Sequence, residues 1–170
     1  PNRVLLTDRL QQAIGHCGRS KLLLTIAYLD LDGFKQANDR YGHDMGDRLL
    51  MKVAQRLLDS TRPGDTVSRL GGDEFVLLFN DVRDIGEAMN ALRRVLEVIA
   101  APYYLDQTDI NLTASIGFTV YPHDEADTDT LIRHADQAMY AAKQTGRNRY
   151  HMFDAEHDRH ADGHGLPVRQ

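Results

Sequence analysis

Apolar residues repeat at helical spacing in the first stretch of the chain, where Leu6, Leu10, Ala13 and Ile14 define one stripe over residues 3–16 and Gly15 and Gly18 offer a stop. The pattern then changes. Residues 21–31 are a nearly continuous apolar run with β-branched and aromatic members, as expected of a strand covered on both faces, and the run ends in Asp30-Leu31-Asp32. Residues 33–41 predict a short polar helix that Gly42 and Gly46 break, and residues 47–60 continue with Leu50, Val53, Ala54, Leu57 and Leu58 on one stripe. Pro63-Gly64 turns the chain. Residues 66–70 and 74–79 read as paired strands about Gly71-Gly72, and residues 84–100 return to helical spacing through Ile85, Ala88, Met89, Leu92, Leu96 and Ile99. Beyond Pro102, residues 103–105 and 110–120 supply strand material and a further antiparallel pair. Residues 128–145 predict a helix striped by Leu131, Ile132, Ala135, Ala138, Met139 and Ala142, with Gly146 as its stop, and residues 149–153 a last edge strand. Strands alternate with helices but include hairpins, which gives an α+β sandwich with a mixed or antiparallel sheet and helices outside. Residues 154–170 lack apolar periodicity and read as a linker or tail; a metal site on His157, His160 and His164 is the weaker reading.

Composition narrows this little. A chain of 170 residues, 42% hydrophobic, can bury one substantial core and does not ask for a second. A net charge of -5 argues against a face that binds a nucleic-acid duplex, while local basic clusters could still hold a small anion such as a nucleotide. The single cysteine, Cys17, excludes an intrachain disulfide framework and fits a reducing compartment; its neighbours Gly18, Arg19 and Ser20 predict a loop. No apolar run reaches membrane-spanning length and no signal peptide opens the chain, so the segment is expected to be soluble and cytoplasmic, with no membrane contact of its own.

The chemistry gathers around Gly71-Gly72-Asp73-Glu74. Two glycines allow close backbone approach to a ligand, and two carboxylates follow them at once, although Gly-Gly alone is equally a hairpin turn. Asp30 and Asp32 taken alone are strand-end acids facing water. If the strands that end at Asp30 and begin at Glu74 are neighbours, Asp30 and Asp73 converge and invite Mg²⁺, which prefers a few carboxylates and substrate phosphates. Lys35 lies just beyond, and Lys143 and Arg147 flank the end of the late helix, where cations also complement the helix dipole without any function. Asn38 and Asp47 offer a hydrogen-bonding pair, and an aspartate can accept from two donors on the guanine edge that adenine lacks; as ordinary residues they are a helix-end Asn and a first-turn acid.

The runs Tyr28-Leu29-Asp30-Leu31-Asp32-Gly33-Phe34-Lys35-Gln36-Ala37-Asn38-Asp39, Tyr41-Gly42-His43-Asp44-Met45-Gly46-Asp47, Arg69-Leu70-Gly71-Gly72-Asp73-Glu74-Phe75, Ser115-Ile116-Gly117 and Ala135-Asp136-Gln137-Ala138-Met139-Tyr140 through Asn148 resemble, in this order and spacing, the GGDEF domain of diguanylate cyclases. The likeness covers about residues 1–153. It implies an adenylyl-cyclase-like palm with a ferredoxin-like core, a central mostly antiparallel sheet flanked by helices. It also implies condensation of two GTP molecules into cyclic di-GMP plus pyrophosphate by two domains facing each other as a homodimer. By position, Asp30, the Leu31 carbonyl and Asp73 would hold Mg²⁺ or Mn²⁺, with Glu74 in support and Asp73 the candidate base for the ribose 3′-hydroxyl. Asn38 and Asp47 would read guanine, with His43 lining that pocket. The backbone of Gly33 and Phe34 with Lys35 would meet the phosphates, Lys143 and Arg147 would hold the triphosphate, and Gly71 and Gly72 would make room for the nucleotide. Arg62-Pro63-Gly64-Asp65 matches the family's Arg-x-x-Asp product-inhibition motif, so Arg62 and Asp65 would bind cyclic di-GMP, with Arg93 placed to assist from the next helix or from a partner domain.

Family members usually carry an Asp-x-Leu-Thr-Gly-Leu-like segment ahead of Pro1-Asn2-Arg3. Its absence predicts a piece of a longer signalling protein with a sensor domain upstream. The ending Tyr150-His151-Met152-Phe153-Asp154 resembles the junction to an EAL phosphodiesterase domain. The alternative function follows from that junction: a non-catalytic module that binds GTP or cyclic di-GMP and controls an attached EAL domain.

Overall fold

The structure is a computed structural model and describes residues 3–155. Strand β1 (Leu23–Asp32) lies at the centre of a five-stranded sheet, antiparallel to β3 (Glu74–Val82) on one side and β6 (Thr113–Tyr121) on the other. β2 (Thr66–Gly71) flanks β3, and β7 (Arg149–Met152) closes the opposite edge parallel to β6. The sheet is therefore mixed, with one parallel pair, and matches the expected palm-like α+β fold.

Every β1 residue after Leu23 is buried, which accounts for the unbroken apolar run. Side chains alternate between two cores. Ala27, Leu29 and Leu31 join a cluster with Leu49, Val53, Leu57, Leu92, Val95 and Ile99 from α3 (His43–Asp59) and α4 (Ile85–Ala100). Leu24, Ile26 and Tyr28 join Leu6, Leu10, Leu131, Ala135 and Met139 from α1 (Arg3–Ser20) and α5 (Thr128–Gln144). The short α2 (Phe34–Tyr41) leads from β1 into α3 and buries Phe34 in the first core. By the period of two, Asp30 and Asp32 emerge on the face that carries α5.

Three expectations are corrected. Helix α1 runs through Gly15 and Gly18 to Ser20, so Cys17 is a buried helical residue whose thiol donates to the Leu22 carbonyl at 2.7 Å. The burial of Leu6, Leu10, Ala13 and Cys17 along one stripe outweighs two glycines, each worth about 1 kcal/mol of helix propensity. Gly46 likewise does not break a helix. It lies inside α3, and Asp47 consequently falls in the second turn. Finally, residues 110–120 are not one strand: β4 (Tyr103–Leu105) pairs with β5 (Thr108–Ile110) in a separate hairpin, and β6 begins only at Thr113. Asp106 and Gln107, at φ 48 and 61, make that two-residue turn without a glycine.

One side chain joins α3 to the end of α4. Arg56 donates to the carbonyls of Val98, Ala101 and Pro102 at 2.8, 2.6 and 2.8 Å and lies 3.6 Å over the Tyr103 ring. It thereby satisfies orphan carbonyls at a helix terminus that has no basic residue of its own in the last turn. Among the described residues no helix is long and apolar enough to cross a membrane. The expected tail, including His157, His160 and His164, lies outside the described residues from position 156 on.

Candidate functional site

Strand register brings the sequence-distant acids together. Asp30 faces Glu74 across the β1–β3 ladder and Ser115 across the β1–β6 ladder, and Asp32 faces Thr113. Facing residues of antiparallel strands direct side chains to the same side of the sheet, so these five gather beside α5. Asp73 joins them through the backbone, because the Leu31 N–H donates to the Asp73 carbonyl at 3.2 Å. The turn that presents it is closed by the Gly71 and Glu74 pairing, with Gly71 at φ 141 and Gly72 at φ 52, conformations that favour glycine. Arg69 fixes this turn by donating twice to the Gly72 carbonyl, at 3.0 and 2.8 Å.

The acids differ in their surroundings. Asp30 is buried, and Lys143 Nζ lies 3.1 Å from its Oδ2, with the two side chains only 10% and 20% exposed. Glu74 accepts a short hydrogen bond from the Tyr28 hydroxyl. Asp32 does not face water, the reading it has when taken alone; it is 8% exposed, and Thr113 Oγ1, Ser115 Oγ and the Asn148 N–H all donate to it, at 2.7, 2.8 and 3.1 Å. Asp73 is partly exposed, and no hydrogen bond or ion pair within the described residues engages its carboxylate. Hard carboxylate oxygens beside a buried, already cation-paired aspartate suit Mg²⁺ or Mn²⁺. Among the described residues no three His, Cys, Asp or Glu side chains gather to hold a metal by themselves, so a cation held here would need oxygens besides those carboxylates.

A second group forms where α2 meets α3. Asn38 Nδ2 lies 3.1 Å from His43 Nδ1, across the Gly42 link between the helices. A Cβ at Gly46 would fall 2.1 Å from Asn38 Oδ1, so the glycine is the recess that receives the Asn38 side chain. Asp47, exposed, follows directly. Gly33 caps α2, and Lys35 is exposed in its first turn, near the end of β1.

The third group is the corner between α5 and β7. Gly146, Arg147 and Asn148 have φ of 133, 62 and 47, which leaves Arg147 exposed. Holding a non-glycine residue such as Arg147 in the left-handed region costs roughly 1 kcal/mol. Helix α5 itself reaches this place because β6 lets it approach closely: a Cβ at Gly117 would fall 1.9 Å from Met139 N and 2.2 Å from the Ala135 carbonyl oxygen.

The Arg62 and Asp65 motif lies at the other end of the strands, since Thr66 pairs with Leu78 while Glu74 pairs with Asp30. The Asp65 side chain is 3% exposed; its two oxygens accept from the Arg62 and Asn80 N–H groups, each at 3.0 Å. Arg62 donates to the Asn80 carbonyl at 2.6 Å and lies 3.8 Å from Glu87. A cavity of about 400 Å³ adjoins this turn, walled by Arg9, Gln12 and His16 of α1 together with Asp65, Thr66 and Asn80. Arg93 is not drawn to Arg62 or Asp65; it donates to Asn90 on its own helix at 3.0 Å.

Sequence reasoning passed over Thr113, and it used Tyr28, Ser115 and Gly117 only as letters of a motif. The available signal was positional: Tyr28 precedes Asp30 by two on a strand, and Thr113 and Ser115 alternate onto one face of another.

Comparison with known proteins accords with this geometry. Residues 1–149 match the family described as Diguanylate cyclase, GGDEF domain. The chain is 44% identical over 155 residues to the bifunctional diguanylate cyclase/cyclic di-GMP phosphodiesterase MucR of Pseudomonas aeruginosa, a match covering 91% of this chain and 22% of that protein. It is 38% identical over 157 residues to the cyclic di-GMP phosphodiesterase PdeR of Escherichia coli, covering 92% and 23% respectively. The chain thus spans less than a quarter of either relative. Among solved structures, the GGDEF domain of TpbB (YfiN) from Pseudomonas aeruginosa superposes with a TM-score of 0.89 at 32% identity, covering 95% of each chain. The family match over nearly the whole described chain and the shared fold lead to one assignment: this chain belongs to the GGDEF family of diguanylate cyclase domains.

Proposed function

We propose that this chain is a working diguanylate cyclase domain that joins two GTP molecules into cyclic di-GMP as a homodimer. The observation that carries the reading is the register Asp30 to Glu74 with the Leu31 to Asp73 backbone bond, which brings the backbone of the Gly-Gly turn and its two acids up to the end of β1, where Asp30 is buried and paired with Lys143. Asn38 and Asp47 hold the guanine base, with His43 orienting the Asn38 amide. Lys35, Lys143 and Arg147 hold the triphosphate, and the Gly71-Gly72 turn lets it approach. Asp30, the Leu31 carbonyl, Asp73 and Glu74 are the groups that would hold Mg²⁺ or Mn²⁺. When bound, the ion supplies charge neutralisation for the triphosphate.

The bond made is between the ribose 3′-oxygen of one GTP and the α-phosphorus of the other. The bond broken joins that phosphorus to the bridging oxygen of pyrophosphate. The 3′-hydroxyl proton passes to the Asp73 carboxylate, and the electron pair of the broken bond leaves with pyrophosphate. Repeating the step across the dimer closes the ring. Most of the work is alignment and charge stabilisation. Arg62 and Asp65, beside the α1 cavity, form the product-inhibition site. Residues 1–153 form the cyclase domain.

The test incubates the chain, fused to a dimerising helix, with GTP and Mg²⁺ and measures cyclic di-GMP by mass spectrometry. Synthesis that Asp73→Ala abolishes supports the reading; undiminished synthesis by that variant refutes it. A second reading is motivated by the likeness to PdeR, a protein named for phosphodiesterase activity. On that reading this chain is a non-catalytic module that binds GTP or cyclic di-GMP and controls an attached EAL domain. GTP binding with no product from the forced dimer favours that reading.

A further inference from the structure

The carboxylates of Asp30 and Asp32 leave the same face of β1 two residues apart, and each takes hold of a different side of the α5–β7 corner. Asp30 pairs with the Lys143 side chain before the corner, at 3.1 Å, and Asp32 accepts from the Asn148 backbone N–H after it, at 3.1 Å. Arg147 lies between these two anchors, in a run of three residues with positive φ.

Asp32 is already occupied. Its Oδ2 accepts from Thr113 Oγ1 and from the Asn148 N–H, and its Oδ1 accepts from Ser115 Oγ, at 2.7, 3.1 and 2.8 Å. A carboxylate has about four lone-pair sites, so three donors leave little capacity for a ligand. Its side chain is also among the buried polar groups of the protein. An acid two residues from Asp30 that is spent on three internal donors acts mechanically, tying the end of β1 to the start of β6 and to the turn that carries Arg147.

We infer that Asp32 is a positioning residue, not a metal ligand, and that it fixes Arg147 against the phosphates of a nucleotide whose base is held elsewhere. The inference rests on the cyclase reading above, in which Arg147 meets the triphosphate. It separates cleanly from a role in metal binding. Asparagine can reproduce the arrangement: its amide oxygen replaces Oδ2 for Thr113 and Asn148, and its NH₂ faces a Ser115 hydroxyl that can turn to accept. A metal ligand would not survive that exchange of charge for amide.

The experiment uses the whole chain and measures affinity for 3′-deoxy-GTP, which lacks the attacking hydroxyl, and for GMP, which lacks the outer phosphates. Limited trypsin digestion after Arg147 reads the turn itself without any nucleotide. Asp32→Ala is expected to lower the preference for 3′-deoxy-GTP over GMP by about tenfold or more, as for loss of a hydrogen bond to a charged group, and to speed cleavage after Arg147. Asp32→Asn is expected to retain most of the preference and the slow cleavage. An Asp32→Ala chain with the wild-type preference, or an Asp32→Asn chain as impaired as Asp32→Ala, overturns the inference. A wild-type chain with no preference for 3′-deoxy-GTP over GMP overturns the triphosphate assignment itself, a different result from either.

Discussion

Replacing Gly46 by alanine sets two effects of opposite sign against each other. Gly46 sits inside α3, where alanine is favoured over glycine by about 1 kcal/mol. The new Cβ, however, would stand 2.1 Å from Asn38 Oδ1, against about 3.4 Å for ordinary contact, so the amide must retreat by more than 1 Å. Phe34 Cζ, at 3.4 Å, need not move. Because the obstructing atom is the end of a side chain, rotation of Asn38 relieves the overlap, at the loss of its 3.1 Å bond to His43, worth about 1 kcal/mol. Gain and loss nearly cancel. Thermal stability should therefore hardly change, while on the proposed reading the guanine base loses one hydrogen-bond partner. A loss of about 0.5–1.5 kcal/mol corresponds to a rise in KM for GTP of about two- to twelvefold, with kcat little altered, since base contacts are made equally in ground and transition states. Initial rates of pyrophosphate release across GTP concentrations, with a thermal melt of the same sample, measure both quantities. An unchanged KM with unchanged stability would show that Asn38 does not read the base from this recess; a stability loss above about 3 kcal/mol would show that the backbone moved instead.

Gly117→Ala should behave differently, because its Cβ would meet the Met139 nitrogen at 1.9 Å and the Ala135 carbonyl at 2.2 Å, and backbone cannot rotate away. We expect a loss of about 1–3 kcal/mol or more in urea unfolding, with loss of activity as α5 carries Lys143 off Asp30. Asp127 caps α5 by accepting from the Thr130 N–H at 2.8 Å, and hydrogen bonding to Thr130 holds its carboxyl below the usual range. Its contribution is present above the ordinary carboxylate pKa and is lost as pH falls through the lowered folded value. Asp127→Asn, which caps without titrating, should flatten that part of the acid unfolding curve, and an unaltered curve would count against the cap. Burial, assisted by Asp81, pushes the Cys17 thiol up, so alkylation by iodoacetamide at pH 8 should be slow in the native chain and fast in urea. Equal rates in both would contradict the buried placement.

The parts of the fold that were legible in the sequence are those where local pattern and burial agree. The run ending at Asp30 is continuous because β1 has a core on each face, and α4 and α5 showed their stripes because each buries one side. Legibility failed where tertiary contact overrides a local signal. Gly15, Gly18 and Gly46 look like breakers, but α1 runs through the first two and α3 through the third, each with a packed stripe, and Gly46 marks a close approach that no spacing rule reveals. The β4–β5 hairpin turns on Asp106-Gln107, a pair with none of the glycine or asparagine that usually betrays positive φ. In the site, Asp30, Asp73 and Glu74 could be picked out because acids beside Gly-Gly at a strand end are unusual in combination. Asp32 was assigned no role because its donors, Thr113, Ser115 and Asn148, stand more than eighty residues away, beyond any window of local reasoning.

The enclosed carboxylate at the far end of the sheet matters to any test of the proposed product inhibition. Both Asp65 oxygens serve as the knot of their own loop, so trimming that residue would strand the Arg62 and Asn80 amides and loosen the entry to β2. Insensitivity gained that way would confound a lost contact with a damaged scaffold. Arg62, whose side chain is 54% exposed and donates from its guanidinium to the Asn80 carbonyl, can be shortened without touching its backbone bonds to Asp65 and is the cleaner handle for that test.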